Sequence, residues 1–198
     1  MELQAVPAIS VDMRHFEKMI GRKIGGLIGF DLIKNYELYI DYGQKIIRMY
    51  PNAQKGLHRN KTPLSSFSFE MQDHIPVIKA QIGNRIYRLG LDTGAEINVL
   101  NAQLKKDLAN EIQKYSPSNE LLDLNSQFSD LEKIQIGMTQ IGAIKYREME
   151  YLFVDLSKVN ESVDTNLALD GILGYPFFST CTLSINFDTQ QVSIWNVN

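Results

Sequence analysis

The chain is poor in the residues that most often carry chemistry. It has a single cysteine, Cys181, in 198 residues, which excludes an internal disulfide and any zinc site built on cysteine pairs. Cys181 lies in the apolar stretch FFSTCTLSINF, a setting that suits a buried, inert thiol. The three histidines, His15, His58 and His74, are scattered without metal-ligand spacing, so no metal site is expected. Neither sign of charge dominates. Twenty basic residues stand against 23 acidic ones, a net -3, which leaves no electrostatic footprint for nucleic acid. The basic cluster KGLHRNK at 55–61 suits a solvated linker. No apolar run approaches the roughly 18 residues of a membrane helix, so no membrane partner is expected. The opening MELQAVPAISVDM has no basic stretch leading into an apolar core, and is not expected to act as a signal peptide. An exported protein trimmed of its leader would read the same way, so the compartment stays open.

What the chain does contain is a repeat. GLIGFDLIKNYELYIDYGQKIIRMY (26–50) matches GILGYPFFSTCTLSINFDTQQVSIW (171–195). A constant separation of 145 positions aligns Gly29 with Gly174, Leu38 with Leu183, Ile40 with Ile185, Tyr42 with Phe187 and Tyr50 with Trp195. After a two-residue slip, SVDM at 10–13 resembles FVDL at 153–156, with Asp12 matching Asp155. In each copy an apolar-apolar-Gly run reads as a buried strand that ends where the backbone needs room. A short apolar segment follows, and then two alternating strands that read as a hairpin. After Tyr50 comes PNAQKGLHRNKTPLSS, polar, with two prolines and a glycine, the composition of a linker. The expected organisation is a C-terminal part of a preceding repeat at 1–50, a linker at 51–66 and a complete domain at 67–198. Residues 26–50 carry too many apolar side chains to stay exposed, so they are expected to pack on the main domain or on another copy's sheet edge.

The unit from 67 onward is rich in strand signals. HIPVIKAQI and RIYRLGL alternate around Gly83-Asn84, a good hairpin turn. AEINVL reads as another short strand. NAQLKKDLANEIQKY at 101–115 has helix-forming composition, with Leu104, Leu108 and Ile112 recurring every four residues and Asn101 as N-cap. KIQIG and MEYLFVDL read as further strands, with MTQIGAIKYRE between them. Many strands and one main helix predict a mostly-β domain with a small barrel-like sheet packing.

Between strands sits YRLGLDTGAEINVL, where Asp92 interrupts two apolar runs and is followed at once by Thr93-Gly94-Ala95. A carboxylate among core-facing neighbours persists only if something stabilises or uses it. The motif lies 80 residues upstream of Ile172-Leu173-Gly174. HIPVIKAQIGNRIYRLGLDTGAEINVL together with DGILGYPFFSTCTLSINFD resembles the retropepsin-like aspartic proteases. The resemblance covers 67–198, and the 1–50 segment resembles the end of a second such unit, as in tandem bacterial members. It implies a closed β-barrel of the acid-protease type, peptide or protein substrates, and no cofactor.

The resemblance also implies roles. Asp92 would supply one of two carboxylates. Two carboxylates about 3 Å apart hold one proton between them, so the ionised side activates a water and the protonated side donates to the substrate carbonyl. Thr93 would fix the loop against a partner loop, Gly94 would let the backbone turn beside the carboxylate, and Ala95 is small enough to face substrate. Ile172, Leu173 and Gly174 would support the loop from behind. No other aspartate shares this context: Asp31 and Asp41 align with Pro176 and Asn186. The second carboxylate is therefore expected from a homodimer or from a missing N-terminal lobe. A substrate-covering flap is expected within ELLDLNSQFSDLEK at 120–133, which includes Phe128 but has no glycine at its tip.

Two other classes compete. A catalytically inactive peptide-binding or scaffold domain would keep the fold, and the atypical flap segment favours it. Nucleotide binding is suggested by GRKIGGLIG at 21–29, but this lacks the Gly-x-x-x-x-Gly-Lys-Ser/Thr spacing of a phosphate loop, and GLIG recurs as GILG in a strand role.

Overall fold

Alternation of apolar and polar residues sets most of the chain into strands. The computed structural model describes residues 9–52, 61–117, 132–161 and 167–197. The N-terminal segment contributes α1 (Arg14–Ile20), α2 (Phe30–Ile33), β1 (Tyr36–Asp41) and β2 (Ile46–Pro51). Next come β3 (Ser65–Ser68), β4 (Glu70–Gln72), β5 (Ile75–Ile82), β6 (Arg85–Leu91), β7 (Val99–Asn101) and β8 (Ile112–Pro117). The remainder is β9 (Glu132–Ile141), β10 (Ile144–Val154), α3 (Ser157–Asn160), β11 (Gly171–Leu173), α4 (Tyr175–Ser179), β12 (Cys181–Asn186) and β13 (Gln191–Val197). Among the described residues no helix is long and apolar enough to cross a membrane.

The larger sheet runs β4-β5-β6-β11-β7-β10-β9-β8, and β9 also pairs with β5. That extra pairing, Ala80↔Ile141 to Ile82↔Thr139, closes the six strands β5, β6, β11, β7, β10 and β9 into a barrel. Closure removes sheet edges and gives each strand an inward face. Along β5, Ile78, Ala80 and Ile82 are buried while Lys79 and Gln81 are exposed. The interior is filled by side chains such as Leu89, Leu100, Ile136, Tyr151 and Leu173. The mostly-β closed barrel expected from the sequence is the architecture observed.

The second sheet runs β2-β1-β12-β13-β3. Its β1–β2 hairpin comes from the N-terminal segment and lies antiparallel to β12. This pairing buries Leu38 and Ile40, each contributing about 1.5–3 kcal/mol. Leu38 and Ile40 therefore pack on the main domain, whereas Leu27, Ile28 and Ile47 stay exposed, so the packing expected of 26–50 holds only for part of the segment. The register has a particular symmetry: Leu38 pairs with Ile185, Tyr39 with Ser184 and Ile40 with Leu183. Tyr39 and Ser184 are themselves repeat equivalents, 145 positions apart. The two hairpins thus meet about a local twofold axis at Tyr39/Ser184.

Three expectations are revised. The helix expected over 101–115 does not form. Asn101 does cap, its side chain accepting from the Gln103 N–H at 3.2 Å, but what it caps is a 3₁₀ turn at Ala102–Leu104. After one further turn, with the Leu108 N–H bonded to the Leu104 carbonyl at 3.0 Å, the chain leaves to pair β8 with β9. Tertiary strand pairing overrides helix propensity there. The segment MTQIGAIKYRE is not a connection: β9 and β10 run through it around a tight turn at Gly142-Ala143. Strand β3 begins at Ser65, inside the stretch whose composition reads as linker. The expected flap lies almost wholly outside the described residues.

Candidate active site

β6 delivers Asp92 to the end of the barrel. Its residues Leu89, Gly90 and Leu91 are buried, and the strand runs parallel to β11 in the register Gly171↔Leu89 to Leu173↔Leu91. The Asp92 N–H continues this ladder by donating to the Leu173 carbonyl at 3.0 Å. The chain then turns sharply. The Ala95 N–H donates to the Asp92 carbonyl at 3.2 Å, and the Gly94 N–H donates to Asp92 Oδ1 at 2.8 Å. The Gly94 N–H thereby orients the carboxylate. Asp92, Thr93 and Gly94 are exposed, and Ala95 is half-buried. The aspartate that looked core-facing in the sequence thus stands at the barrel's end with its carboxylate in solvent.

Residues 171–175 back the loop. Ile172 is half-buried and Leu173 fully buried. A Cβ on Gly174 would lie 2.5 Å from the Ala95 carbonyl oxygen and 2.6 Å from that of Ile97, so only glycine lets the loop pass this close. The Tyr175 N–H donates to the Ala95 carbonyl at 2.8 Å.

Two supporting residues were not singled out in the sequence. Asn98 is buried; its Oδ1 accepts from the Gly174 N–H at 2.9 Å and its Nδ2 donates to the Glu150 carbonyl at 3.0 Å. Its signal was a lone amide inside the apolar run Ile97-Asn98-Val99-Leu100. Asp170 precedes β11. Its Oδ2 accepts from the Arg88 N–H at 2.7 Å, and its carbonyl accepts from the Asn101 N–H at 2.8 Å. It thereby ties β6 and β7 to β11. Partial burial pushes its carboxyl above the usual range, opposed by the bond from the Arg88 N–H and by the Arg88 charge. Among the described residues no group of three His, Cys, Asp or Glu side chains converges on a metal-sized site.

A family profile described as aspartyl protease matches residues 78–177, spanning both Asp92 and Gly174. The chain belongs to the aspartyl protease family. The resemblance drawn from Asp92-Thr93-Gly94-Ala95 is thus borne out for the family. This aspartyl protease-family chain is similar in structure to a retropepsin-like aspartic protease from Rickettsia conorii, at 14% identity and a TM-score of 0.46, over 65% of this chain and 89% of that one. It is also similar to the retroviral protease-like domain of Ddi1 from Leishmania major, at 13% identity and a TM-score of 0.32, over 62% of this chain and 96% of that one. No curated protein matches the sequence.

Proposed function

We propose that the chain is an aspartic endopeptidase subunit in which Asp92 supplies one of two carboxylates that activate a water against a peptide bond. The observation that carries this reading is the Asp92 carboxylate itself. It is exposed at the end of a barrel strand, yet its loop is pinned by bonds to Leu173 O and from Gly94 N–H. A fixed backbone under an exposed acid is what general acid–base work requires. With a second carboxylate alongside, the pair would hold one proton, and its apparent pKa values would belong to the pair. The ionised member takes a proton from water as the water adds to the scissile carbonyl carbon. The protonated member donates to the carbonyl oxygen; as the tetrahedral adduct collapses, the member that took the water proton passes it to the leaving nitrogen, the other recovers its proton from the hydroxyl, and the C–N bond breaks to release the amine. Thr93 would brace the loop against its mate, and Ala95 would leave room for substrate lying as an added strand. No cofactor enters the scheme.

The second carboxylate comes from a homodimer or from a further lobe. Replacing Asp92 by asparagine and assaying peptide cleavage at mildly acidic pH tests the reading in the assembled particle. Loss of at least about 1,000-fold in kcat is expected, and unchanged activity would end it. The alternative is an inactive peptide-binding domain, favoured by the exposure of Asp92 in the single chain. Binding of extended peptides with no cleavage, indifferent to Asp92→Asn, would establish that alternative.

A further inference from the structure

We infer that Tyr42, carried by the N-terminal segment, is a positioning residue for the Asp92 loop and acts on it through Tyr175. What that positioning does for the reaction rests on the proposed role of Asp92.

Strand pairing and turn chemistry fix where Tyr42 stands. β1 is paired to β12 as far as Asp41↔Thr182, so the turn at 42–45 projects from the end of that pairing. Asp41 is buried and holds the turn: its Oδ1 accepts from the Gln44 N–H at 2.8 Å. The Lys45 N–H donates to the Tyr42 carbonyl at 3.2 Å. A turn closed by both bonds leaves its first residue little freedom. The Tyr42 ring meets Tyr175 with centroids 5.3 Å apart and planes at 75°, and Phe178 at 6.3 Å and 40°. The steep angle to Tyr175 is the edge-to-face arrangement that aromatic pairs favour.

The same contact occurs twice. Phe187, the repeat equivalent of Tyr42, follows β12 as Tyr42 follows β1. It meets Phe30, the equivalent of Tyr175, at 5.5 Å and 78°. In each case the aromatic after one copy's first hairpin strand leans on the aromatic after the other copy's apolar-apolar-Gly run. The twofold relation at Tyr39/Ser184 therefore extends to both pairs, and their matching geometry makes the contact part of how the two segments fit together.

The two pairs lead to different places. Phe30 also packs on His74, at 5.3 Å, whereas Tyr175 is continuous with the candidate site. Its N–H donates to the Ala95 carbonyl at 2.8 Å, and the Ala95 N–H donates to the Asp92 carbonyl at 3.2 Å. The residue before it, Gly174, lies against the Ala95 and Ile97 carbonyls. The residues after it in α4, Phe177 and Phe178, are fully buried. Tyr175 itself is 51% exposed, so the barrel core holds it less than it holds these neighbours. The Tyr42 ring supplies the missing hold. A Tyr175 free to swing would carry its N–H, and with it the Ala95 carbonyl, away from the arrangement that fixes Asp92. Shifts beyond about 0.5 Å in such a frame are enough to weaken a catalytic group.

The test compares the full chain with its Tyr42→Ala and Tyr42→Phe variants by amide hydrogen exchange. The Ala95 and Tyr175 amides read the loop. The Leu183 amide, in the strand between β1 and β13, reads whether the hairpin stays docked. Tyr42→Ala should speed exchange at Ala95 and Tyr175 by at least ~5-fold relative to Leu183. It should also shift the Gly94 amide resonance, whose N–H donates to Asp92 Oδ1. Tyr42→Phe keeps the ring and should return the rates to within about twofold of the parent. Tyr42→Leu, with apolar bulk but no ring, is read in the same way if the alanine variant does not fold. Unchanged exchange at Ala95 and Tyr175 overturns the inference. So does equal quickening at Leu183, which marks general loosening, or quickening that Tyr42→Phe does not reverse. Peptide cleavage is scored separately. A parent that cleaves should lose at least ~5-fold in kcat in Tyr42→Ala at nearly unchanged KM, and an unchanged kcat beside quickened loop amides overturns the role in the reaction. A parent that does not cleave counts against the catalytic reading of Asp92, and the amide rates still decide whether Tyr42 positions the loop.

Discussion

The buried amide of Asn98 accepts a hydrogen bond from the backbone N–H of Gly174, 76 positions along the chain, at 2.9 Å. The same side chain donates to the Glu150 carbonyl, and its own carbonyl accepts from the Leu152 N–H at 2.9 Å. One residue thus joins the approach to β7, the strand β10 and the end of β11 directly behind the Asp92 loop. Asn98→Ala strands the buried Gly174 N–H, costing about 1–3 kcal/mol, and also removes the side-chain donor to the Glu150 carbonyl. A loss of about 3 kcal/mol in urea unfolding is expected. A loss under about 1 kcal/mol would mean the backbone holds this junction without it.

The two repeat-equivalent glycines should respond differently to the same change. Gly174→Ala drives a methyl onto the Ala95 and Ile97 carbonyls, a backbone clash that side-chain rotation cannot relieve. A cost of at least ~2 kcal/mol is expected. Gly29→Ala meets open space with φ in the extended range, so thermal melting should shift by less than about 2 °C. Equal effects at both positions would show that Gly29 is as closely packed as Gly174.

Asp170 should leave a signature in the pH dependence of stability. Burial holds its folded-state carboxyl above the ordinary range, so the folded chain binds that proton more tightly than the unfolded one. Its contribution is most favourable below the unfolded value of about 3.9 and declines as pH rises toward the folded value. Asp170→Asn keeps an acceptor for the Arg88 N–H and removes the titration. Subtracting the variant's stability curve from the parent's should leave a component that falls with rising pH above about 4 and then levels. A difference that rises with pH would contradict the burial argument.

Cys181 should be silent in the folded protein. Its side chain is fully buried, and burial pushes its thiol up to about 11. Alkylation at neutral pH should run at least ~100-fold slower than for a free thiol and become immediate in denaturant. Mass spectrometry of the reagent adduct checks this. Rapid native-state labelling would show that the β12 region opens.

Some of this was legible because it is local. The hairpins around Gly83-Asn84 and on either side of Asp188 follow from two-residue alternation and turn chemistry. The Asp-Thr-Gly tripeptide between apolar runs carried the family, because the residues that form the loop are contiguous. The 145-position offset exposed the repeated half because equivalent glycines and aromatics are needed wherever the same packing recurs. Asn98 and Asp170 escaped notice because each acts on backbone groups distant in sequence, and a single buried amide or acid looks the same wherever its partner lies. The segment 101–115 misled because Leu104 and Leu108 do make a turn, and only the presence of β9 decides that Ile112 leaves it.

The sequence by itself determined the strand pattern, the barrel class, the aspartyl protease family and the repeat between 26–50 and 171–195, since periodicity, motif and repeat are properties of neighbouring residues. Only the tertiary structure decided that the β1–β2 hairpin joins β12 about an axis at Tyr39/Ser184, that Asp92 faces solvent from a pinned loop, and that Leu27 and Ile28 stay exposed. Those are matters of which groups meet across long separations, settled when the whole chain buries its apolar surface and pairs its backbone at once.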